Sequence, residues 1–434
     1  MMLRPVVVPM LVLAAALAVS GCSGKTKEKL EGTREAVLTV APALKPDPDS
    51  AAEQVLLPTP IELRDWGQVG GFADHAPMHI KLNDKVFKAW SVHVARGSSE
   101  EAKITNPPVV GEGHVYVLDT GGQVTAVNME TGKVVWRKDV TTDNTAITGG
   151  MAIVGGTLYI TAGNGDVIAL EAFKGGELWR VNVGAPVRAA PTIAEGKVFV
   201  VSHNNRLHVL SAIDGTILWT HAGIEEGIGI LGGAPPAVSA GVVIAPYSSG
   251  EIYALGTNDG NYLWHEALAF RVGSDPYSAL VDVEAPPVIV ADVVYAVNHN
   301  GMISTFNLNT GRRLWEKELS AINLPWVAGN SVFILSDQNQ LIALNRKNGT
   351  VRWIYDLGKT GIEDKDENVF WTGPVLAGDR LIVVSSEGYA ASISPYTGKR
   401  LSLVKMGDGI SLPPVVAAGT LYFLTNDGDL VAFR

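Results

Sequence analysis

The sequence predicts an all-β protein: an eight-bladed propeller of four-stranded antiparallel blades, the last blade closed by an N-terminal strand. Three observations carry this. Tryptophans recur at Trp90, Trp136, Trp179, Trp219, Trp264, Trp315 and Trp353, with Ser402 at the eighth place, 38 to 51 residues apart, and a period near forty marks repeated four-stranded units. Between them the chain divides into short β-branched and aromatic runs separated by glycine turns. The two end copies are also incomplete in complementary ways: Leu412 to Arg434 stops after a third strand, and Trp90 sits on Val86 to Val94 with no strands of its own before it. Three strands and one strand together complete an eighth blade and leave no open edge at the seam.

The first full repeat shows each element. Pro107-Pro108-Val109-Val110 is a short apolar strand, turned by Gly111-Glu112-Gly113. His114 to Leu118 is β-branched and aromatic, which suits a second strand. Asp119-Thr120-Gly121-Gly122 is a tight turn needing positive φ. Gln123 to Asn128 alternates polar and apolar, Met129 to Gly132 turns again, and Lys133 to Val140 is the polar-flanked outer strand carrying Trp136. Later copies keep the order, as in Asn205 to Leu210 with Asp214-Gly215 and Trp219, or Gln340 to Leu344 with Asn348-Gly349 and Trp353. The tryptophans read as blade-docking residues, each filling the wedge between neighbours. Ser402 then predicts one softer interface.

The 434 residues are 47% apolar, enough for one large β domain. A net charge of −10 without a Lys/Arg run argues against a nucleic-acid partner. Residues 1–21 read as a signal peptide: Arg4, an apolar stretch from Val6 to Val19, then Ser20-Gly21-Cys22. That ending resembles the bacterial lipobox, and Cys22 is the only cysteine, so it has no disulfide partner. Lipid attachment at Cys22 is expected, giving an anchor of several acyl chains, and Ser23 after it points to the outer membrane. Residues 22–65, charged and then rich in proline, read as a flexible tether, with the propeller over residues 66–434. Trp66 to Lys85 reads as a lead-in packing on the blades.

No catalytic, cofactor-binding or metal-ligating set is expected. His75 and His79 are four apart, but Pro77 and Gly70-Gly71 argue against the helix that would turn both to one metal. Asn426-Asp427-Gly428-Asp429 lacks the downstream Glu of a calcium loop and reads as a blade turn. Loop length is more informative. Trp179 to Pro191 spans 12 residues, but Trp219 to Pro236 spans 17, Trp353 to Pro374 spans 21 and Trp264 to Pro287 spans 23. These segments join one blade's outer strand to the next blade's inner strand, so all fall on one face, where added length makes a binding surface. They hold Gly223 to Gly232, Phe270 to Glu284 and Lys359 to Trp371, apolar anchors among carboxylates. That mixture suits a protein partner of basic or mixed character.

The run Ala126-x-Asn128-x-x-Thr131-Gly132-x-x-x-Trp136, repeated weakly over Ile303 to Trp315, resembles the tryptophan-docking motif of quinoprotein propellers. With the lipobox, the proline-rich segment and eight blades, the whole chain resembles the BamB lipoprotein family of the outer-membrane β-barrel assembly machinery, the BAM complex. The resemblance implies a non-enzymatic scaffold without cofactor, held on the periplasmic face of the outer membrane. It would bind the periplasmic domains of BamA, assist folding and insertion of β-barrel proteins, and contact their unfolded precursors. Ile228, Ile230 and Leu231 match one family contact loop, and Asp282 and Glu284 the acidic pair of another; Leu231 replaces an arginine, which puts a charge contact there in doubt. Two other readings stand beside it. A periplasmic quinoprotein (PQQ-dependent) dehydrogenase shares the docking motif but commonly needs a vicinal disulfide that one cysteine cannot form. Direct capture of precursors by strand addition would use outer strands such as Lys133 to Val140.

Overall fold

A computed structural model describes residues 44–99, 102–141, 149–224, 233–268, 285–298, 301–359 and 369–434. From Lys45 onward the chain forms one compact unit. The described residues form eight four-stranded antiparallel sheets, seven built from consecutive strands. Blade 1 comprises Val109–Gly111, His114–Leu118, Gln123–Asn128 and Val134–Asp139. Blades 2 to 7 follow in chain order, with inner strands beginning at Met151, Thr192, Ala237, Val288, Trp326 and Trp371. Blade 8 takes Val415–Ala417, Thr420–Leu424 and Asp429–Phe433, and its outer strand is Lys88–His93. Trp90 pairs with Ala432 and Val92 with Leu430, so the seam is an ordinary antiparallel ladder.

Inner and middle strands are buried on both faces, whereas the outer strands of blades 1 to 5 alternate exposed and half-buried positions or nearly so. The core is therefore a set of wedges between blades. In blades 1 to 7 the third and fourth strands shift register beside the docking position, as at Ala126/Val127 opposite Trp136 and Ala343/Leu344 opposite Trp353. Such a bulge twists the outer strand, and here it sets the indole against the next blade.

The segment before blade 1 departs from the expected boundary. Lys45 to Asp65, composed like a tether, is packed on the blades. Asp47 caps a one-turn helix, α1 (Pro48–Ala52), accepting from the Ser50 amide at 2.9 Å with Pro48 in the first turn. The Asp47 amide donates to the Val351 carbonyl at 2.8 Å. Glu53 meets Arg352 at 3.1 Å, and Val55 and Leu63 are buried. The reason is local: Arg352 holds the place before the docking tryptophan where Val135, Leu178, Leu218, Leu263 and Leu314 stand exposed in other blades. A guanidinium there binds the passing chain, and the outer strand of blade 6 begins buried, unlike the others.

Candidate partner-binding face

Residues Leu63 to Ile80 make one circuit of the ring axis, meeting the inner region of each blade in turn. Leu63 O accepts from Ala418 N in blade 8 at 2.7 Å, and Trp66 exchanges two bonds of 2.8 Å with Val110 in blade 1. Gly67 O accepts from Ile153 in blade 2 at 2.6 Å, and the Gln68 amide bonds Ile193 in blade 3 through both its ends. Ala73 O accepts from Val238 and Asp74 O from Ile289, in blades 4 and 5. Trp326 of blade 6 donates its indole N–H to Met78 O at 2.5 Å, and Ile80 bonds Leu376 and Gly378 in blade 7. Inner-strand edges are thereby satisfied by this segment, through its backbone in most blades and through the Gln68 side chain in blade 3.

This circuit floors the axis. A cavity of about 220 Å³ remains above it, bounded below by Trp66, Val69, Gly70 and Trp326. Trp66 lies on Trp326 with ring centres 6.4 Å apart. The wall is made largely of residues just before the inner strands, including Pro107, Ala190, Pro235, Pro286 and Pro414, with Pro374 inside the inner strand of blade 7. The inter-blade joins thus end around the mouth of a blind funnel.

His75 and His79 belong to this segment and are buried. Each ring shares a bond through Nδ1 with a carbonyl, that of Pro287 or of Pro58, both at 2.8 Å. Burial lowers the His75 pKa to about 4, so the imidazole is neutral at pH 7, its Nδ1–H donates to Pro287, and its Nε2 is buried without a partner. Among the described residues no group of three or more His, Cys, Asp or Glu side chains is placed to hold a metal.

Of the residues expected to carry a partner, Ile228, Ile230, Leu231, Asp282 and Glu284 lie outside the described residues, as does Cys22. Their flanks are fixed. Asn205 donates to Ile224 O at 2.7 Å and accepts from the backbone and hydroxyl of Ser248 at 3.0 and 2.9 Å, tying the start of the first loop to blade 4. Asn205 holds φ +53°, a conformation Asn tolerates. Past the third loop, Val369 O accepts from Asn339, and Phe370 is held by Ser386 with its ring exposed. Neither asparagine stands out in the sequence, since each looks like one more blade turn.

The seven tryptophans show one geometry. Each indole N–H donates to a carbonyl of the following blade: Trp90 to Met129, Trp136 to Ala172, Trp179 to Ala212, Trp219 to Thr257, Trp264 to Leu308, Trp315 to Arg346 and Trp353 to Pro395, at 2.7 to 3.3 Å. Ring after ring also lies under the glycine of that blade's last turn, Gly132 over Trp90 and Gly349 over Trp315. A closed ring of eight blades with seven of its interfaces locked this way is a propeller of the quinoprotein type. Comparison with known proteins narrows the class. A family model described as outer membrane protein assembly factor BamB matches residues 87–147 and 141–355. The Xanthomonas campestris protein of that name is 30% identical, over 81% of this chain and 86% of its own. Among solved structures, BamB from Moraxella catarrhalis superposes with a TM-score of 0.70 at 22% identity, over 81% of this chain and all of that one. A quinohemoprotein alcohol dehydrogenase from Pseudomonas putida shares the fold at 0.69 with 13% identity, over 86% of this chain and 80% of its own. The chain belongs to the BamB family of outer membrane protein assembly factors.

Proposed function

We propose that this protein is a non-enzymatic scaffold of outer-membrane protein assembly, lipidated at Cys22 and held at the periplasmic face of the outer membrane. It presents its loop-rich face to BamA within the BAM complex and so assists folding and insertion of β-barrel proteins. The observation that carries the reading is that the described ends of the long joins, at Gly233, Pro286 and Gly373, line the funnel mouth, in a chain whose family is named for this assembly. Blade-to-blade bonding makes a stiff platform, which spares a docking surface part of the ordering cost of binding. Ile228, Ile230 and Leu231 are its apolar anchors, and Asp282 and Glu284 its cation-binding pair.

The test is recovery of BamA from detergent extracts of outer membranes. Ile230→Glu and Glu284→Lys are each expected to lower recovery at least tenfold, an apolar anchor being worth about 1–3 kcal/mol. Full recovery by both correctly folded variants would remove these loops as the contact.

A further inference from the structure

One of the eight blade interfaces lacks its indole. Ser402 stands opposite Ser392 on the outer strand of blade 7, at the register that Trp353 takes opposite Ala343 in blade 6. The following blade differs as well. In blades 1 to 7 the glycine over the incoming indole (Gly132, Gly175, Gly215, Gly260, Gly311, Gly349, Gly398) belongs to the turn between third and fourth strands. Blade 8 takes those strands from opposite ends of the chain, so that turn is replaced by a backbone pair between Phe87 and Arg434, 2.7 and 2.9 Å. Lid and ring are thus missing at the same interface.

What remains is a cavity of about 290 Å³ between blades 7 and 8, lined by Ser402, Val404, Ala390, Ser392, Phe423 and Phe433, with Phe87 at its edge. A closed cavity of about 150 Å³ holds a benzene ring, so an indole fits in the space. We propose that this vacant docking position is a binding site for a tryptophan side chain presented by a partner polypeptide. Seven copies of the same position in this molecule already hold that ring, each delivered on a strand. A polypeptide is favoured over a free aromatic molecule by the rim: Phe87 and Val404 line the cavity yet are 71% and 50% exposed. The residues flanking an inserted tryptophan cover both, whereas a free ring leaves them in water. The site is built from blades 7 and 8 and the chain from Asp84 to Phe87 that enters the closing strand, and it does not depend on the reading of the loop face.

The experiment titrates the full chain into a fluorescein-labelled, end-blocked heptapeptide with one central tryptophan, followed by anisotropy, beside the same peptide with alanine. Saturable binding is expected for the tryptophan peptide, at least tenfold weaker for the alanine peptide. Ser402→Trp, which supplies the ring internally, is expected to lower affinity at least tenfold and to raise the thermal midpoint. Val404→Lys, at an exposed position that leaves the fold intact, is expected to weaken binding as well. Equal binding of the two peptides, or affinity unchanged in both variants, would overturn the site. Free indole competing at concentrations as low as the peptide would overturn the polypeptide as its occupant.

Discussion

Gly132 and Trp136 sit four residues apart in the repeat signature, yet they serve different interfaces. Trp136 reaches forward to Ala172 in blade 2, while Gly132 receives Trp90 from the blade behind. The glycine is required twice: φ is +68° at Gly132, and an added Cβ would lie 2.7 Å from the Trp90 ring. Gly349 is the most crowded of the seven docking glycines, at 2.4 Å from Trp315, whereas Gly113 has a similar φ of +75° and nothing within 4 Å. Gly349→Ala should therefore cost roughly 2–4 kcal/mol and Gly113→Ala about 1 kcal/mol, backbone strain plus overpacking against strain alone; urea unfolding compares them. His75 supplies a pH dependence. The unfolded chain takes up a proton near pH 6.5 and the folded imidazole only near pH 4. Stability from this group is thus full above pH 6.5 and drains as pH falls toward 4, by about 3 kcal/mol at about 1.4 per unit. His75→Asn, which tolerates the φ of +59°, should flatten the fall of the urea midpoint over that window. His208, buried with its pKa likewise near 4, keeps the remainder.

At the scale of elements, strands and turns were legible because each repeat states its own pattern eight times. The leading segment was not. Its contacts around the axis are mainly single backbone bonds, one or two per blade, and such bonds leave no side-chain periodicity to read. Proline and charge between Lys45 and Asp65 suggested a solvated tether, and only Arg352, buried where the equivalent positions are aliphatic, marked a docking point. A chain beginning at residue 58 should lose α1 and expose Val351 and Arg352. The expected outcome is a lower thermal midpoint and faster amide exchange confined to blade 6, at Asn330, whose amide donates to Leu56 O, and over Val351–Asp356, read by hydrogen exchange. The same midpoint drop with exchange spread over all blades would show that the segment supports the ring as a whole.

The whole molecule is a ring held shut at one ladder. Arg434 adds a link from blade 8 to blade 1, donating to Met129 O and Glu130 at 2.6 and 2.8 Å. Removing residues 429–434 should leave Lys88–His93 without a partner, detected as new tryptic cleavage after Lys88. Cleavage unchanged from the intact chain would mean that this strand is held by other contacts. Around the rim the exposed aliphatic residues of the outer strands recur blade by blade, and the interface between blades 7 and 8 is set apart by its lack of an indole.

The repeat by itself determined the number of blades, their strand order, the closing strand and the docking tryptophans, because local periodicity and turn chemistry are written in each copy. Ser402 alone announced a weak interface. Tertiary structure decided why: ring closure joins two distant strands and so deletes the turn whose glycine would have covered an indole. It also decided that a proline-rich leader becomes the floor of the axis, since eight inner edges brought into one circle offer backbone partners that no linear stretch of sequence displays.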